Sequence, residues 1–303
     1  GDIHGHADAL SELLETMDYQ LVDGCYRHAT RQVIFLGDFI DRGPKQVDVL
    51  KIVIPMVENK AALVIMGNHE FNALAFHTEH PKQPGTWLRP RNDKNLKQHL
   101  AFLTEFLGRK VFPTLDDALT FFKSLPLWLE VDGLRVVHAC WDPRYIELLE
   151  PLLESGNKVT PELMATASTK GTVAFEGIET LLKGIEYSLP GNYSFLDKDD
   201  TLRSDVRIQW WIKQDSKLGE ITLPSGLLRG ETHHHQVSKD DLIGYPDQDK
   251  PLFIGHYWMK GHPAKLASNV ACLDYSVAKN GKLVAYQWTG EKKINDEHFF
   301  YLK

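Results

Sequence analysis

The chain has 303 residues, of which 43% are hydrophobic and 25% charged, and its formal net charge is −7. That length buries a core large enough to fold without disulfides or a structural metal, and the acidic balance argues against sequence-independent nucleic-acid binding. The three cysteines, Cys25, Cys140 and Cys272, form no CxxC pair, and no apolar run reaches membrane-spanning length, so a cytoplasmic protein is expected.

The chain opens on GDIHGHA (1–7), a loop phrase with no strand before it. A short apolar strand ahead of residue 1 is expected. ADALSELLETM (7–17) places Leu10, Leu13, Leu14 and Met17 on one helical face. QVIFLGD (32–38) is an apolar run ending in Gly-Asp, and AALVIMGNHE (61–70) repeats that design. LKQHLAFLTEFLG (96–108) and LDDALTFFKSL (115–125) have helical periodicity. LWLEVDGLRVVHAC (127–140) reads as a hairpin turning at Asp132-Gly133. KPLFIGHYW (250–258) is again an apolar run followed by Gly and His. NVACLDYS (269–276) and GKLVAYQWTGE (281–291) close the chain as strands around an Asn-Gly turn. Strand–helix alternation followed by a strand-rich end predicts an α/β sandwich with helices outside. Residues 145–250 show no sheet pattern and are expected to form a helical insertion or cap within a single domain spanning 1–303.

The apolar runs end in small residues plus side chains able to bind metal. The carboxyl ends of strands are where α/β sheets present chemistry, and glycine there lets backbone turn and ligand approach. The collected set is Asp2, His4, Asp38, Asp41, Arg42, Asn68, His69, His138 and His256. Such a set suits two borderline divalent ions, Mn²⁺ first and Fe or Zn as alternatives, since no thiolate cage is offered. Asp38 is the expected bridge. Asp2 and His4 would join it at one ion, and Asn68, His138 and His256 at the other. A bridging hydroxide could then attack phosphorus in line. Arg42 offers a fork for phosphate oxygens. His69 could protonate the leaving oxygen, with Asp41 fixing its tautomer.

GDIHG, GDFIDRG and GNHE, followed by separate histidines in VVHAC and IGH, resemble the calcineurin-like metallophosphoesterases. The GDxxDRG form is closer to the phosphoprotein-phosphatase (PPP) branch and its bacterial relatives. The resemblance implies a four-layer α/β/β/α sandwich, a two-metal centre and phosphoester hydrolysis. It also implies a second phosphate-clamping arginine; Arg207 is preferred to Arg203 and Arg229 because it precedes the apolar IQWW run. HACWD stands where eukaryotic members carry HGG, and the ending NVACLDYSVAKNGKLVAYQW is similar to bacterial PPP-type phosphatases and symmetrical dinucleotide tetraphosphate hydrolases. The leading expectation is a serine/threonine protein phosphatase acting on phosphorylated protein or peptide. A diadenosine tetraphosphate hydrolase is the alternative, and a non-catalytic scaffold is a remote one that the complete residue set disfavours. No membrane or nucleic-acid partner is expected.

Other residues receive structural readings. His6 is expected to cap the first helix or to support the site, and His77 and His80 to be solvated surface. His233, His234 and His235 are read as a surface loop near the rim, and His262 as loop. Trp210 and Trp211 are expected to pack rather than stack a base. Trp141 and Tyr257 either line the pocket or pack beneath it. DKDD (197–200) reads as a solvated turn, lacking full EF-hand spacing. The cysteines are expected in the core.

Overall fold

Alternate residues along the central strands face two different apolar layers. Leu252 and Ile254 join the larger cluster, which the helices cover, while Phe253 between them joins a second cluster. Val270 and Cys272 against Ala271, and Val137 against Val136, divide the same way. A period of two is what a strand buried on both faces requires. The computed structural model describes residues 1–191, 193–196 and 202–302.

Three groups of strands form the two central layers. Strands Val33–Phe35 and Ala62–Val64 pair in parallel, with helix Gln46–Glu58 between them in the chain. A four-stranded sheet runs in the order Val270–Cys272, Leu252–Ile254, Leu134–Val137, Trp128–Val131. Its first three strands are parallel, and the last is the antiparallel hairpin partner expected around Gly133. Antiparallel strands Asp274–Tyr275, Lys282–Tyr286 and Phe299–Tyr301 form a further sheet. The second cluster, with Leu36, Val136, Phe253, Val284 and Phe299, joins residues of these three groups. Leu10, Leu14, Val53, Leu74 and Phe102 bring the helices onto the first cluster. The architecture is mixed α/β with both layers apolar. An apolar cavity of about 400 Å³, lined by Ile3, Leu36, Val136, Phe253 and Val284 among others, lies beside the inner layer.

The helices start where local chemistry stops the preceding chain. Thr114 accepts the amide of Asp117 and begins Leu115–Lys123, and Asn92 accepts that of Asn95 to begin Asp93–Phe106. The longer helices of residues 145–250 lie in their first part. Helices Pro161–Ala167 and Val173–Lys183 pack on the main core through Leu163 and Leu181. Beyond them lie short strands, Glu186–Ser188, Asp205–Ile208 and Thr222–Leu223 in one sheet, over a separate cluster including Val206, Ile208 and Leu218. Strands of two to four residues are too short to show a period in sequence, which is why the stretch read as lacking sheet. No helix among the described residues is long and apolar enough to cross a membrane.

Candidate metal centre and active site

The sheet delivers the site. Asp38 and Asp41 follow Val33–Phe35, Asn68 and His69 follow Ala62–Val64, His138 follows Leu134–Val137, and His256 follows Leu252–Ile254. The GDIHG and GDFIDRG phrases are joined by main-chain hydrogen bonds: the amides of Ile3 and His4 both donate to Asp38 O, at 3.0 and 2.8 Å, and Gly5 donates to Phe39 O at 2.8 Å. The ring of His4 is fixed through Nδ1, 2.9 Å from Ile40 O. His138 Nδ1 lies 2.7 Å from Leu36 O.

The backbone here is strained. His4, Asp38, Asp41, Arg42, His256 and Trp258 all take φ between 46° and 71°. Non-glycine residues in that region cost on the order of 1–3 kcal/mol each and gather where function demands a fixed geometry. Glycine supplies close approach at two points. A Cβ on Gly67 would stand 2.3 Å from Asp38 Oδ1, and one on Gly255 would stand 2.3 Å from Asp2 Oδ1. Glu70, the last residue of GNHE, is fully buried and clamps these loops. Its Oε2 accepts the amides of Asp38 (2.8 Å) and Gly67 (3.1 Å), and its Oε1 accepts that of Phe39 (2.8 Å).

Two donor groups share Asp38. His4, Asp38 and His69 form one, and Asp38, His138 and His256 the other, each with its ligand atoms within 4.8 Å of one another. Asp38 Oδ2 lies 3.6 Å from His4 Nε2, 3.4 Å from His138 Nε2 and 3.9 Å from His69 Nε2. Asn68 Oδ1 stands 2.8 Å from His256 Nδ1 and 3.2 Å from His138 Nε2. Asp2 lies outside both groups. Its carboxylate accepts the His256 amide, at 3.1 and 3.3 Å to its two oxygens.

The electrostatics suit cations. Burial first, then Asp274 and Asp38, pushes the Asp2 carboxyl well up. Burial also opposes charge on Asp38 and His138, yet their attraction dominates: Asp38 is held well below the usual carboxylate range and His138 is pushed up to about 10. Burial and the neighbouring His69 push His4 down to about 3, and burial with Arg207 pushes His256 down. Both are therefore neutral imidazoles, the form that binds metal. His256 Nε2 is buried without a hydrogen-bond partner, a group that a ligand would satisfy. Buried carboxyls, imidazoles and an amide oxygen are the donor types that fit a pair of borderline divalent ions.

Beside this centre, His69 Nδ1 lies 2.5 Å from Asp41 Oδ2. Burial opposes charge on His69, but Asp38 and Asp41 raise its pKa above the ordinary value. Exposed Arg42 lies over the Trp258 ring with Cζ 4.2 Å from the centroid, and Lys279 Nζ lies 3.6 Å from that same centroid. The Trp258 ring is 6.4 Å from that of His4. Buried Asp274 ties the two loops together, accepting the amides of Trp258 at 2.7 Å and Ser276 at 2.9 Å.

The sequence profile of the calcineurin-like phosphoesterase family matches residues 1–164, more than half of the chain. The chain belongs to this family. A relative named asymmetrical bis(5'-nucleosyl)-tetraphosphatase, from Oceanobacillus iheyensis, is 46% identical over 70 residues, which cover 23% of this chain and 28% of that protein. A symmetrical bis(5'-nucleosyl)-tetraphosphatase from Vibrio campbellii is 23% identical over 306 residues, covering 98% of this chain and 97% of that one. A solved protein serine/threonine phosphatase from Saccharomyces cerevisiae superposes with a TM-score of 0.47 at 12% identity, covering 100% of this chain and 77% of that one.

In this calcineurin-like phosphoesterase the expected residues converge, with differences in detail. His69 joins His4 and Asp38 in one donor group, and Asp2 borders the centre through the His256 amide. Arg207 is close enough for its charge to act on His256, whereas Arg203 and Arg229 are exposed on separate elements. Trp141 and Tyr257 are core residues: Tyr257 Oη donates to Ala139 O at 3.1 Å, and Arg135 packs on Trp141. Trp210 is fully buried and donates to that same carbonyl, and Trp211 packs on Tyr257. His6 precedes the first helix without a side-chain capping bond. His77 is half-buried against His99 rather than solvated, because helix Asp93–Phe106 covers it. His80 is also half-buried, and its Nδ1 accepts the Lys82 amide; His262 bonds Tyr301 at the surface. His233, His234 and His235 lie outside both donor groups, on and just after helix Gly230–His234. The cysteines are buried, and burial pushes the Cys140 thiol well up. DKDD lies outside the described residues. Glu70, His99, Trp258, Asp274 and Lys279 carried no assigned role in the sequence, although each stands inside a stretch read there as a strand, a helix or a motif.

Proposed function

We propose that this calcineurin-like phosphoesterase is a two-metal phosphohydrolase whose substrate carries more than one phosphate, a dinucleoside polyphosphate such as diadenosine tetraphosphate. The observation that carries the substrate class is the placement of Arg42 and Lys279 on one Trp258 ring beside the donor groups. Two cations gathered at one aromatic ring suit successive phosphates of a chain. The relatives matching nearly the whole chain, named symmetrical bis(5'-nucleosyl)-tetraphosphatase, support this reading.

Asp2, His4 and Asp38 would hold one ion, with Asn68, His138, His256 and the shared Asp38 holding the other. When bound, such ions would supply Lewis acidity at the phosphoryl oxygens and acidify the attacking water. Arg42 and Arg207 orient the phosphoryl group by paired N–H donors. His69 gives its Nε2 proton to the departing oxygen, while Asp41 accepts from Nδ1 and keeps the ring in register. Glu70 keeps the Asp38 and Gly67 amides fixed through the reaction.

The phosphoprotein reading, drawn from the GDxxDRG form, keeps this chemistry and changes the leaving group. Turnover of diadenosine tetraphosphate, a phosphoserine peptide and p-nitrophenyl phosphate, compared with Mn²⁺ present, decides between them. The dinucleotide should give the highest kcat/KM. A peptide preferred over both would replace this substrate assignment with the protein-phosphatase one.

A further inference from the structure

We infer that His99 is a positioning residue for the Asp41–His69 pair, holding the second oxygen of the Asp41 carboxylate so that the first stays in line with His69. The inference rests on the proposed hydrolytic role of His69. Asp41 is buried, and it divides its oxygens: Oδ2 faces His69 Nδ1 at 2.5 Å, and Oδ1 faces His99 Nδ1 at 3.0 Å. An ionised carboxylate only accepts, so both Nδ1 atoms must carry the proton. Burial opposes charge on Asp41, yet the two histidines hold its pKa well below the usual carboxylate range. The Asp41 amide donates to Gln46 Oε1 at 2.8 Å, so backbone and both oxygens are committed.

The His99 ring is itself held. It is buried on helix Asp93–Phe106, stacked on Phe102 at 4.7 Å and 19°, and tilted against Phe76 at 5.1 Å. Its Nε2 is 3.4 Å from His77 Nε2. Burial with His99 and Arg91 pushes His77 down to about 4, so His77 is neutral at pH 7. Neutral His77 can then donate from Nε2 to His99 Nε2, which leaves the His99 proton on the nitrogen that faces Asp41. The tautomer of His99 is thereby set two residues away from the reacting atoms. Without His99, Asp41 Oδ1 would be buried unpaired, and the carboxylate could rotate out of the plane of the His69 ring.

Three variants separate positioning from packing. His99→Asn keeps a donor near the Nδ1 position, His99→Gln moves it to the Nε2 position, and His99→Phe keeps the ring without a donor. Turnover of an alkyl and an aryl phosphate is compared, because only the poor alkyl leaving group needs the full proton donor. His99→Phe and His99→Gln should lower kcat on the alkyl ester by roughly 10–100-fold, lower it much less on the aryl ester, and leave KM near wild type. His99→Asn should recover most of the loss. Equal losses on both esters, or His99→Asn no better than His99→Gln, would overturn the inference. A readout independent of turnover is the downfield proton resonance of the His69 Nδ1–H. It should persist in His99→Asn and shift or broaden in His99→Gln; an unchanged resonance in His99→Gln contradicts the inference. Absence of hydrolysis by the wild-type chain would count against the hydrolytic role of His69, while the resonance comparison would still decide the positioning role of His99.

Discussion

Glu70 binds the backbone of Asp38, with Oε2 2.8 Å from the Asp38 amide and Oε1 equally close to the next amide along. The bridging candidate therefore owes its left-handed φ of 53° to a carboxylate three residues beyond Gly67. Burial, and then the Asp38 charge, pushes Glu70 up to about 7.

Glu70→Gln should cost about 2–4 kcal/mol of stability, since an amide NH₂ would face the backbone donors. It should also weaken Mn²⁺ binding by roughly 10–100-fold. Thermal melting and isothermal titration of the metal-stripped protein check the two effects. Wild-type metal affinity in a folded Glu70→Gln variant would remove the clamp from this account.

His69→Asn should retain both ions and lower turnover by roughly 100-fold or more on alkyl phosphates. The loss should be smaller on p-nitrophenyl phosphate, whose leaving group needs no proton. Metal content by elemental analysis is measured beside the rates. A variant short of one ion would instead make His69 a ligand, as its place beside His4 and Asp38 allows.

Lys279→Ala should lower the ratio of kcat/KM for diadenosine tetraphosphate over p-nitrophenyl phosphate by about tenfold, because on the proposed assignment it removes the charge that meets a second phosphate. Trp258→Ala should depress both substrates, since the ring also supports Arg42. Measuring both substrates on both variants checks this, and an unchanged ratio in Lys279→Ala would leave the polyphosphate assignment without its structural support.

Glu291 supplies a prediction away from the site. Burial opposes its ionisation, but the Tyr286 hydroxyl at 2.6 Å and the Thr289 amide and hydroxyl at 2.7 and 2.9 Å hold it down to about 2. A depressed folded pKa gives stability that is present above the ordinary value near 4.5 and lost as pH falls through about 2. Glu291→Gln should lower stability at pH 7 by about 1–2 kcal/mol and flatten the dependence across that window. Denaturant melts at pH 7, 4 and 2.5 read it; parallel wild-type and variant curves would contradict it.

Most of the metal-capable residues were legible because Asp38, Asn68, His138 and His256 follow apolar strands, while Asp2 and His4 stand in a glycine-bearing phrase of the same kind as GDFIDRG. The central strands were legible for a similar reason, since continuous apolar runs mark strands buried on both faces. The supporting layer was not. His99 lies on a helix whose apolar spacing explains it as core, and its meeting with Asp41 spans 58 positions. Trp258 was passed over for its neighbour Tyr257 because nothing local says which of two adjacent aromatics turns outward; the φ of 55° at Trp258 decides it. The small strands between residues 186 and 223 left no trace, since strands of two to four residues without a continuous apolar run carry no readable period.

The central claim is that hydrolysis depends on ions gathered around Asp38. The direct measurement is metal stoichiometry and phosphoester turnover of the chelator-stripped protein during titration with Mn²⁺, beside Asp38→Asn. Two ions per chain, turnover rising with their binding, and loss of both in Asp38→Asn are predicted. Full turnover in the stripped protein, or an Asp38→Asn variant that binds two ions and remains active, would contradict it.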